Sequence, residues 1–454
     1  MKSINPANLE LIKEYADHSE QEVVEIISEV DGAFHSWKTT DIQKRAFLQN
    51  KLADLLEERK QELGELITCE MGKPLKQAIA EVEKCAWVCR YYAEHAKDFL
   101  KLEEFENDNF REALVSYEPI GIVLAIMPWN FPLWQVFRFS APNLMAGNVG
   151  LLKHASNVSG CALAIEKLYM DAGYPPHVFR TVLVPGNRVE SIIADKRVRA
   201  VTLTGSSGAG SAVAAAAGKY LKKSVLELGG NDAYIVLADA NIEQAVEACF
   251  NGRVQNAGQS CIAAKRFILH KDIYQEFRQK LQKKIEETKV GDPMEKETQM
   301  GPLSSESIRD ELIQQIEESV KAGAKKTIVG EAPKEKGAFY PITVLENINP
   351  GMPAFDDELF GPVFSLIEAS SDDEAIELGN QSEFGLGGAI FSSNTDYARS
   401  LALERFESGS CFVNDFVKSD PRLPFGGIKN SGYGRELSHY GFYEFLNIKT
   451  VCIK

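Results

Sequence analysis

The sequence lacks the features that mark several classes of protein. Eight cysteines in 454 residues, with no Cys-x-x-Cys pair, argue against a disulfide scaffold and provide no zinc-binding pattern. No apolar run approaches the roughly 20 residues that a membrane-spanning helix needs. With 65 acidic and 50 basic residues, the chain also lacks the basic excess that favours nucleic acids or anionic membranes. We therefore expect no metal site and no nucleic-acid or membrane partner.

What is present is the composition of a globular protein. Apolar residues make up 44% and charged residues 25% of the chain, which is ordinary for this class. No apolar segment follows Lys2, so we expect no cleaved signal segment. The cysteines lie in mainly apolar sequence, as reduced thiols do, which favours a cytoplasmic location. The chain is too long for one hydrophobic core, and two or three subregions are expected.

Hydrophobic periodicity predicts an α/β fold preceded by helices. Apolar residues recur every three or four positions over residues 19–100, which predicts three long amphipathic helices. From residue 121 onward, β-branched apolar runs alternate with helical stretches, a rhythm typical of a doubly wound parallel sheet. A second α/β region is predicted over residues 230–410. Residues 442–454 resemble a strand with no partner nearby in sequence, and we expect this strand to pair with another chain.

Two segments have residues suited to oxyanion and phosphate binding. Residues 128–132 follow an apolar strand and precede a helix, the position where ligands collect in open α/β sheets. The amide of Asn130 is able to donate to a developing oxyanion, although Pro and Asn are also ordinary turn residues. Residues 204–210 open an Ala-rich helix and offer N–H groups to a phosphate. Because Val213 replaces the last Gly of the dinucleotide fingerprint, plain helix capping explains this segment equally well.

Three further segments contain a candidate base, a nucleophile and an acidic turn. Glu227 ends an apolar strand, where burial raises a carboxyl pKa and suits a general base. If Glu227 instead formed a structural salt bridge, it would have no catalytic role. Cys261 follows the loop-forming residues 256–260, and a thiol on an accessible turn can ionise and attack a carbonyl carbon. The same thiol in a core would be inert. Residues 358–363 combine a carboxylate, an aromatic ring and a rigid turn.

Together and in this order, the segments resemble the aldehyde dehydrogenase superfamily over essentially the whole chain. The matching signatures are PWNFP (128–132), LTGS (203–206), LELGG (226–230), GQSC (258–261) and ELFGPV (358–363). The resemblance implies a doubly wound cofactor domain, an α/β catalytic domain and a small β oligomerisation arm. It also implies a homodimer or a homotetramer.

The same resemblance sets expected domain bounds. The cofactor domain is expected over 1–107 and 125–229, the catalytic domain over 230–410, and the arm over 108–124 and 435–454. Residues 411–434 are expected to return to the cofactor domain and to contain a substrate loop.

The resemblance also implies catalytic roles. Cys261 is expected to form a thiohemiacetal with an aldehyde and then a thioester, while Asn130 and the Cys261 N–H hold the oxyanion. Glu227 is expected to activate the water that hydrolyses the thioester, which favours hydrolysis over transfer to coenzyme A.

For the cofactor, the resemblance implies NADP and NAD. The residues expected to contact it are Trp129, Lys153, Ser156, Gly205, Ser206, Glu358 and Phe360. Many NAD-preferring relatives have a Glu at the position of Ser156, where its charge repels a 2'-phosphate. Since Ser156 removes that repulsion and Lys153 adds attraction, NADP is expected to be the preferred cofactor.

Four residues predict an anionic substrate. Trp134 and Arg138 lie four residues apart on a predicted helix and therefore share a face. A guanidinium with the hydroxyls of Ser260 and Ser419 suits a carboxylate tail.

Together with residues 153–156 and 417–427, this set is similar to the short bacterial succinate-semialdehyde dehydrogenases. The similarity implies oxidation of succinate semialdehyde to succinate. If Arg138 instead makes a structural ion pair, uncharged aliphatic aldehydes become the expected substrates. Two further hypotheses are a non-catalytic nucleotide-binding protein of the same fold and a coenzyme-A-acylating enzyme. Retention of Asn130, Glu227 and Cys261 together argues against the non-catalytic one.

Overall fold

The structure is a computed structural model that describes residues 1–334 and 336–454. In these residues the helices are α1 (Glu20–Trp37), α2 (Ile42–Glu58), α3 (Lys60–Met71), α4 (Leu75–Phe99), α5 (Trp134–Met145), α6 (Ser159–Asp171), α7 (Val189–Ala194), α8 (Ser207–Lys219), α9 (Ile242–Val254), α10 (Tyr274–Glu286), α11 (Glu306–Lys321), α12 (Pro353–Asp356), α13 (Asp372–Asn380), α14 (Thr395–Glu404) and α15 (Ser438–Tyr443). The strands are β1 (Lys2–Ile4), β2 (Leu11–Glu14), β3 (Glu103–Glu104), β4 (Glu112–Pro119), β5 (Ile122–Met127), β6 (Val149–His154), β7 (Phe179–Thr181), β8 (Val198–Thr204), β9 (Lys223–Glu227), β10 (Ala233–Val236), β11 (Arg266–His270), β12 (Lys325–Val329), β13 (Thr343–Glu346), β14 (Val363–Ala369), β15 (Phe384–Gly385), β16 (Gly387–Phe391), β17 (Ser410–Val413), β18 (Ile428–Lys429), β19 (Gly432–Tyr433) and β20 (Leu446–Ile453).

Two mainly parallel sheets form the framework. The first has the order β19-β9-β8-β5-β6-β7, in which only β19 is antiparallel to its neighbour. The second has the order β12-β13-β14-β11-β10-β16-β17, in which only β12 is antiparallel. Helices connect the parallel strands, because parallel neighbours need a long crossover connection. The predicted doubly wound α/β architecture is confirmed.

Each large sheet has its own apolar core, as the chain length predicted. One cluster of buried side chains lies around the six-stranded sheet and helices α1–α6, and the other lies around the seven-stranded sheet. The chain passes from one sheet to the other between Glu227, the last residue of β9, and Ala233, the first residue of β10. No helix in the described residues is both long and apolar enough to cross a membrane.

The prediction of three N-terminal helices is wrong in number. Four helices occupy this region, because the second predicted helix is divided at Arg59, where φ is -103° and ψ is 14°. No Pro or Gly marks the break. Both α2 and α3 pack against α4, and Leu56 and Leu63 are buried on either side of the bend. Tertiary packing therefore divides a segment whose local sequence favours one continuous helix.

The C-terminal strand pairs with a remote strand of its own chain and keeps one edge unpaired. Strand β20 pairs antiparallel with β4, from Leu446 opposite Pro119 to Ile453 opposite Glu112. Together with β3 they form a separate three-stranded sheet in which β20 is an edge. The hairpin strands lie at 103–104 and 112–119, whereas 122–127 belong to the six-stranded sheet, so the hairpin begins and ends earlier than residues 108–124.

Candidate active site

A cavity of about 260 Å³ lies where the carboxyl ends of β5, β8 and β9 face the second sheet. It brings together many of the residues predicted from the sequence: Trp129, Asn130, Gly205, Ser206, Cys261, Glu358 and Phe360. Residues of α11, among them Leu312, line the opposite wall. Polar groups therefore converge in a cleft at the carboxyl ends of parallel strands, the usual ligand position in such folds.

The loop before Cys261 has an unusual backbone. Asn256, Ala257 and Gly258 all have positive φ, at 53°, 53° and 75°. Such a conformation costs roughly 1–3 kcal/mol for a non-glycine residue and persists only where surrounding contacts enforce it. A Cβ at position 258 would collide with the carbonyl of Gly361. The close approach of these two glycines places the Cys261 loop against the Glu358–Val363 segment.

Asn130 is held by hydrogen bonds that cross between the two sheets. Its Nδ2 donates to the carbonyl of Gln259 at 3.0 Å, and its Oδ1 accepts from Gln135 at 2.9 Å. In return, Asn256 Nδ2 donates to the Asn130 carbonyl at 2.8 Å. Asn130 is buried and lines the cavity, and its amide nitrogen has a second N–H that is not used in the bond to Gln259. The geometry fixes an amide donor next to Cys261.

Lys265 fixes the other side of the loop. Its buried Nζ donates to the carbonyls of Cys261 at 2.7 Å and Ser260 at 3.0 Å, and it forms an ion pair with Glu358 at 3.0 Å. A Cβ on Gly229 would collide with the Glu358 carboxylate, so the glycine makes room for this acid. Lys265 thereby connects the loop to an acid expected at the cofactor.

Burial dominates the electrostatics of the Cys261 thiol. Desolvation raises the pKa of Cys261 to about 12, while Arg138 and Lys265 act to lower it. Since a thiolate is the reactive form, the thiol is held mostly protonated near neutral pH. A positive charge brought close to the thiol would increase the reactive fraction.

Glu227 lies beside the cavity without lining it. Leu228 and Gly229 line it instead, and Glu227 is 2% exposed at the end of β9. Among the described residues neither of its carboxylate oxygens has a hydrogen-bond partner. Burial first, and then Glu436, raise the pKa of Glu227 well above its ordinary value. This glutamate therefore takes up a proton far more readily than an exposed one.

Arg138 makes the ion pair that the neutral-substrate interpretation describes. It is 3% exposed, and its guanidinium pairs with the buried carboxylate of Glu436. It also donates to Thr204 Oγ1 at 3.3 Å and lies 4.6 Å over the ring of Phe425. Trp134, Ser260 and Ser419 are buried. None of these four predicted substrate residues lines the 260 Å³ cavity.

Several features fit a bound dinucleotide. Ser206 caps helix α8 by accepting from the Ala209 N–H at 3.4 Å, and the helix N-terminus suits a phosphate. Trp129 and Phe360 lie edge to face with ring centres 5.8 Å apart. Lys153 is partly buried at the end of β6, where burial lowers its pKa, and among the described residues it forms no ion pair. Ser156 begins a short 3-10 turn three residues later.

Five residues that shape the site were not predicted from the sequence: Gln135, Asn256, Gln259, Lys265 and Glu436. Asn256 and Gln259 belong to the loop-forming segment before Cys261, so their polarity was an available signal. Gln259 also accepts from the Ser304 N–H at 2.8 Å, a contact 45 residues away. Glu436 gives no local signal, because its partner Arg138 is remote in sequence. Across residues 1–334 and 336–454, no three His, Cys, Asp or Glu side chains gather as a metal-binding group.

Comparison with known proteins places this site in a large family. A model described as the aldehyde dehydrogenase family matches residues 1–451. A probable NADP(+) succinate-semialdehyde dehydrogenase of Synechocystis sp. is 46% identical over 451 residues, 99% of each chain. The NADP(+) succinate-semialdehyde dehydrogenase of Mycobacterium leprae is 48% identical over 453 residues, again 99% of each. A succinic semialdehyde dehydrogenase from Streptococcus pyogenes, solved with NADP+, has a TM-score of 0.97 at 38% identity and covers 100% of this chain and 99% of its own.

Alkylation of Cys261 tests the raised thiol pKa. Between pH 7 and pH 9 we expect the rate of modification by iodoacetamide to rise about tenfold per pH unit, because only the thiolate reacts. The measurement is mass spectrometry of the Cys261 peptide in cofactor-free protein, with exposed Cys452 in the same digest as the internal reference. A rate that is already constant above pH 7 would contradict the assignment.

Proposed function

This chain belongs to the aldehyde dehydrogenase family, and we propose that it oxidises succinate semialdehyde to succinate, with NADP as the preferred cofactor and NAD as a second one. The observation that carries the proposal is the convergence of Cys261 and the Asn130 amide in one cavity, with the buried Glu227 beside it. The names of the similar proteins support the substrate. The catalytic roles of Cys261, Asn130 and Glu227 are part of this proposal.

The first step is attack on the aldehyde by Cys261. Its sulfur forms a bond to the carbonyl carbon, and the carbonyl electrons move onto oxygen to give a thiohemiacetal alkoxide. The free Asn130 N–H and the Cys261 backbone N–H donate to that oxygen. The positive charges of Arg138 and Lys265 favour the thiolate from which attack starts. Because the Asn130 amide is held in place before the substrate binds, it needs no reorganisation when the oxyanion forms.

Oxidation follows when the alkoxide collapses. The carbonyl re-forms as the carbon–hydrogen bond breaks, and a thioester remains on Cys261. A nicotinamide bound beside Trp129, Glu358 and Phe360 supplies the acceptor for the hydride and its two electrons. These residues orient the ring, and Gly205 and Ser206 hold the pyrophosphate at the start of α8.

Hydrolysis completes the cycle. Glu227 removes a proton from water as the water oxygen attacks the thioester carbon, and the carbon–sulfur bond then breaks to release succinate and the Cys261 thiolate. The raised pKa of Glu227 makes its carboxylate a better proton acceptor near neutral pH than an ordinary glutamate. Among the described residues both of its carboxylate oxygens lack a hydrogen-bond partner, so they are free to accept from that water.

A cytoplasmic location and homo-oligomeric assembly belong to the same proposal. All eight cysteines are free thiols, which suits a reducing compartment. In the three-stranded sheet, β20 presents an unpaired edge with Ile448 61% exposed. An exposed strand edge invites pairing with another chain. We propose that this sheet, with its hairpin at residues 103–119, is the assembly arm, and that the predicted cofactor and catalytic domains are the functional parts of the chain.

The ion pair of Arg138 with Glu436 supports a second candidate. An arginine whose charge is matched by a buried carboxylate has less to offer an anionic tail. In this case neutral aliphatic aldehydes would be oxidised as well as succinate semialdehyde. A kinetic comparison of the two aldehyde classes separates the two candidates.

Initial rates of NADP reduction test substrate and nucleophile together. We expect kcat/KM for succinate semialdehyde to exceed that for butanal by at least about tenfold, because a charged hydrogen bond is lost with the neutral aldehyde. Cys261→Ala should abolish turnover, while Cys452→Ala, which removes an exposed thiol, should retain it. Equal rates for the two aldehydes would favour the neutral-aldehyde candidate, and an active Cys261→Ala would eliminate the mechanism.

Cofactor preference is tested at Ser156. In Ser156→Glu we expect kcat/KM for NADP to fall roughly ten- to a hundredfold, because the new carboxylate repels the 2'-phosphate, while NAD is affected little. Ser156→Ala is the matched control and should keep the preference for NADP. An unchanged NADP/NAD ratio in Ser156→Glu would place the 2'-phosphate elsewhere.

Assembly is tested by sedimentation velocity. We expect a dimer or tetramer of the 50.3 kDa chain, and removal of residues 446–454 should release monomers because β20 is lost. A monomeric full-length protein would contradict the proposed arm.

A further inference from the structure

Lys84 is a partly buried lysine with no acidic partner in the described residues. It lies on α4, and its Nζ donates to Ser419 Oγ at 2.8 Å. The same Nζ lies 4.4 Å over the ring of Trp134. Both contacts are to residues that the sequence predicts at the substrate, although Lys84 itself belongs to none of the sequence motifs.

The carboxylates around Lys84 are already engaged. Glu81 pairs with Lys73 and accepts the N–H groups of Leu133 and Trp134 at 2.9 and 3.0 Å. Asp420 pairs with Arg422 at 2.5 Å, and Glu83 pairs with Lys60. A cation removed from water without a counter-ion is costly, and a bound anion would offset that cost.

Lys84 and Arg138 differ in whether a carboxylate already pairs with them, and this difference decides which cation is available to bind an anion. Arg138 is paired with Glu436, whereas Lys84 has no paired carboxylate and has two further N–H donors. Arg138 lies within Coulombic range of both Lys84 and Cys261. Lys84 and the nucleophile therefore both lie near Arg138.

We propose that Lys84 is the specificity-determining cation that binds the substrate carboxylate, with Ser419 as a second donor and Trp134 as the wall for the methylene chain. The inference rests on the proposed function, since it assigns the recognition of the anionic tail to a residue. Ser419 accepts from Lys84 through its oxygen, so its own O–H is free to donate to the carboxylate. Burial and the neighbouring Arg138 lower the pKa of Lys84 to about 8, which a bound carboxylate would reverse.

The test compares Lys84→Gln with the wild-type enzyme on two aldehydes of equal length. For succinate semialdehyde we expect KM to rise roughly ten- to a hundredfold, because a charge-assisted hydrogen bond to the substrate is lost. For butanal, kcat/KM should stay within about threefold. The inhibition constant of succinate, a direct measure of carboxylate binding, should rise in parallel with KM. Lys84→Arg should retain most of the preference for the anion.

Lys97→Gln is the matched control, since Lys97 is an exposed lysine on the same helix. It should leave both substrates unaffected. Activity toward butanal reports that Lys84→Gln is folded. If Lys84→Gln leaves the KM of succinate semialdehyde and the succinate constant unchanged, or weakens both aldehydes equally, the inference is wrong while the proposed function stands. If the wild-type enzyme shows no preference for succinate semialdehyde, the proposed function fails and the inference fails with it.

Discussion

The site depends on the hydrogen bonds that join Asn130 to the loop of residues 256–259. Asn130 follows β5 of one sheet, and the loop precedes β11 of the other, so the amide–carbonyl bonds at 2.8 and 3.0 Å connect two separate cores. They are buried, where an unmade bond would cost about 1–3 kcal/mol. The left-handed backbone at Asn256 and Ala257 persists because these contacts enforce it. Without them, Cys261 would have no defined position relative to the oxyanion donor.

Charge is distributed around this connection in two different ways. Glu227, Glu436 and Arg138 are all buried. Burial raises the pKa of both carboxyl groups, Arg138 acts to lower it, and Glu436 raises that of Glu227 further. Such a cluster contributes little to net stability, because desolvation offsets most of the attraction. Its effect is functional: burial and then Glu436 raise the proton affinity of Glu227, while Arg138 acts to lower it. The lysines differ from this cluster, because Lys265 is bound to the loop and to Glu358 whereas Lys84 keeps its charge unmatched.

Local patterns account for most of the secondary structure. The apolar runs that form β5, β6, β8 and β9 are bounded by loop residues and alternate with helical periodicity, so they were predictable without any long-range information. The division of the second helix at Arg59 was not predictable, because it results from packing against α4 and no Pro or Gly accompanies it. The register of β20 against β4 likewise has no local signal. More than 300 residues separate the two strands, and no local pattern encodes that contact.

The sequence by itself determined the family, the nucleophile candidate and the cofactor-loop candidates, because these depend on short runs whose residue types and order are specific. Cys261, Asn130 and Glu358 could be named from their motifs, and they converge in one cavity. Only the tertiary structure decided which positive charges remain available to bind an anionic substrate. The sequence pointed to Arg138 for an anion and gave no signal for Lys84, whereas in the fold Arg138 is paired with Glu436, which is nearly 300 residues from it in the chain and in direct contact with it. Electrostatic pairing acts through space over a few ångströms, and sequence separation carries no information about it.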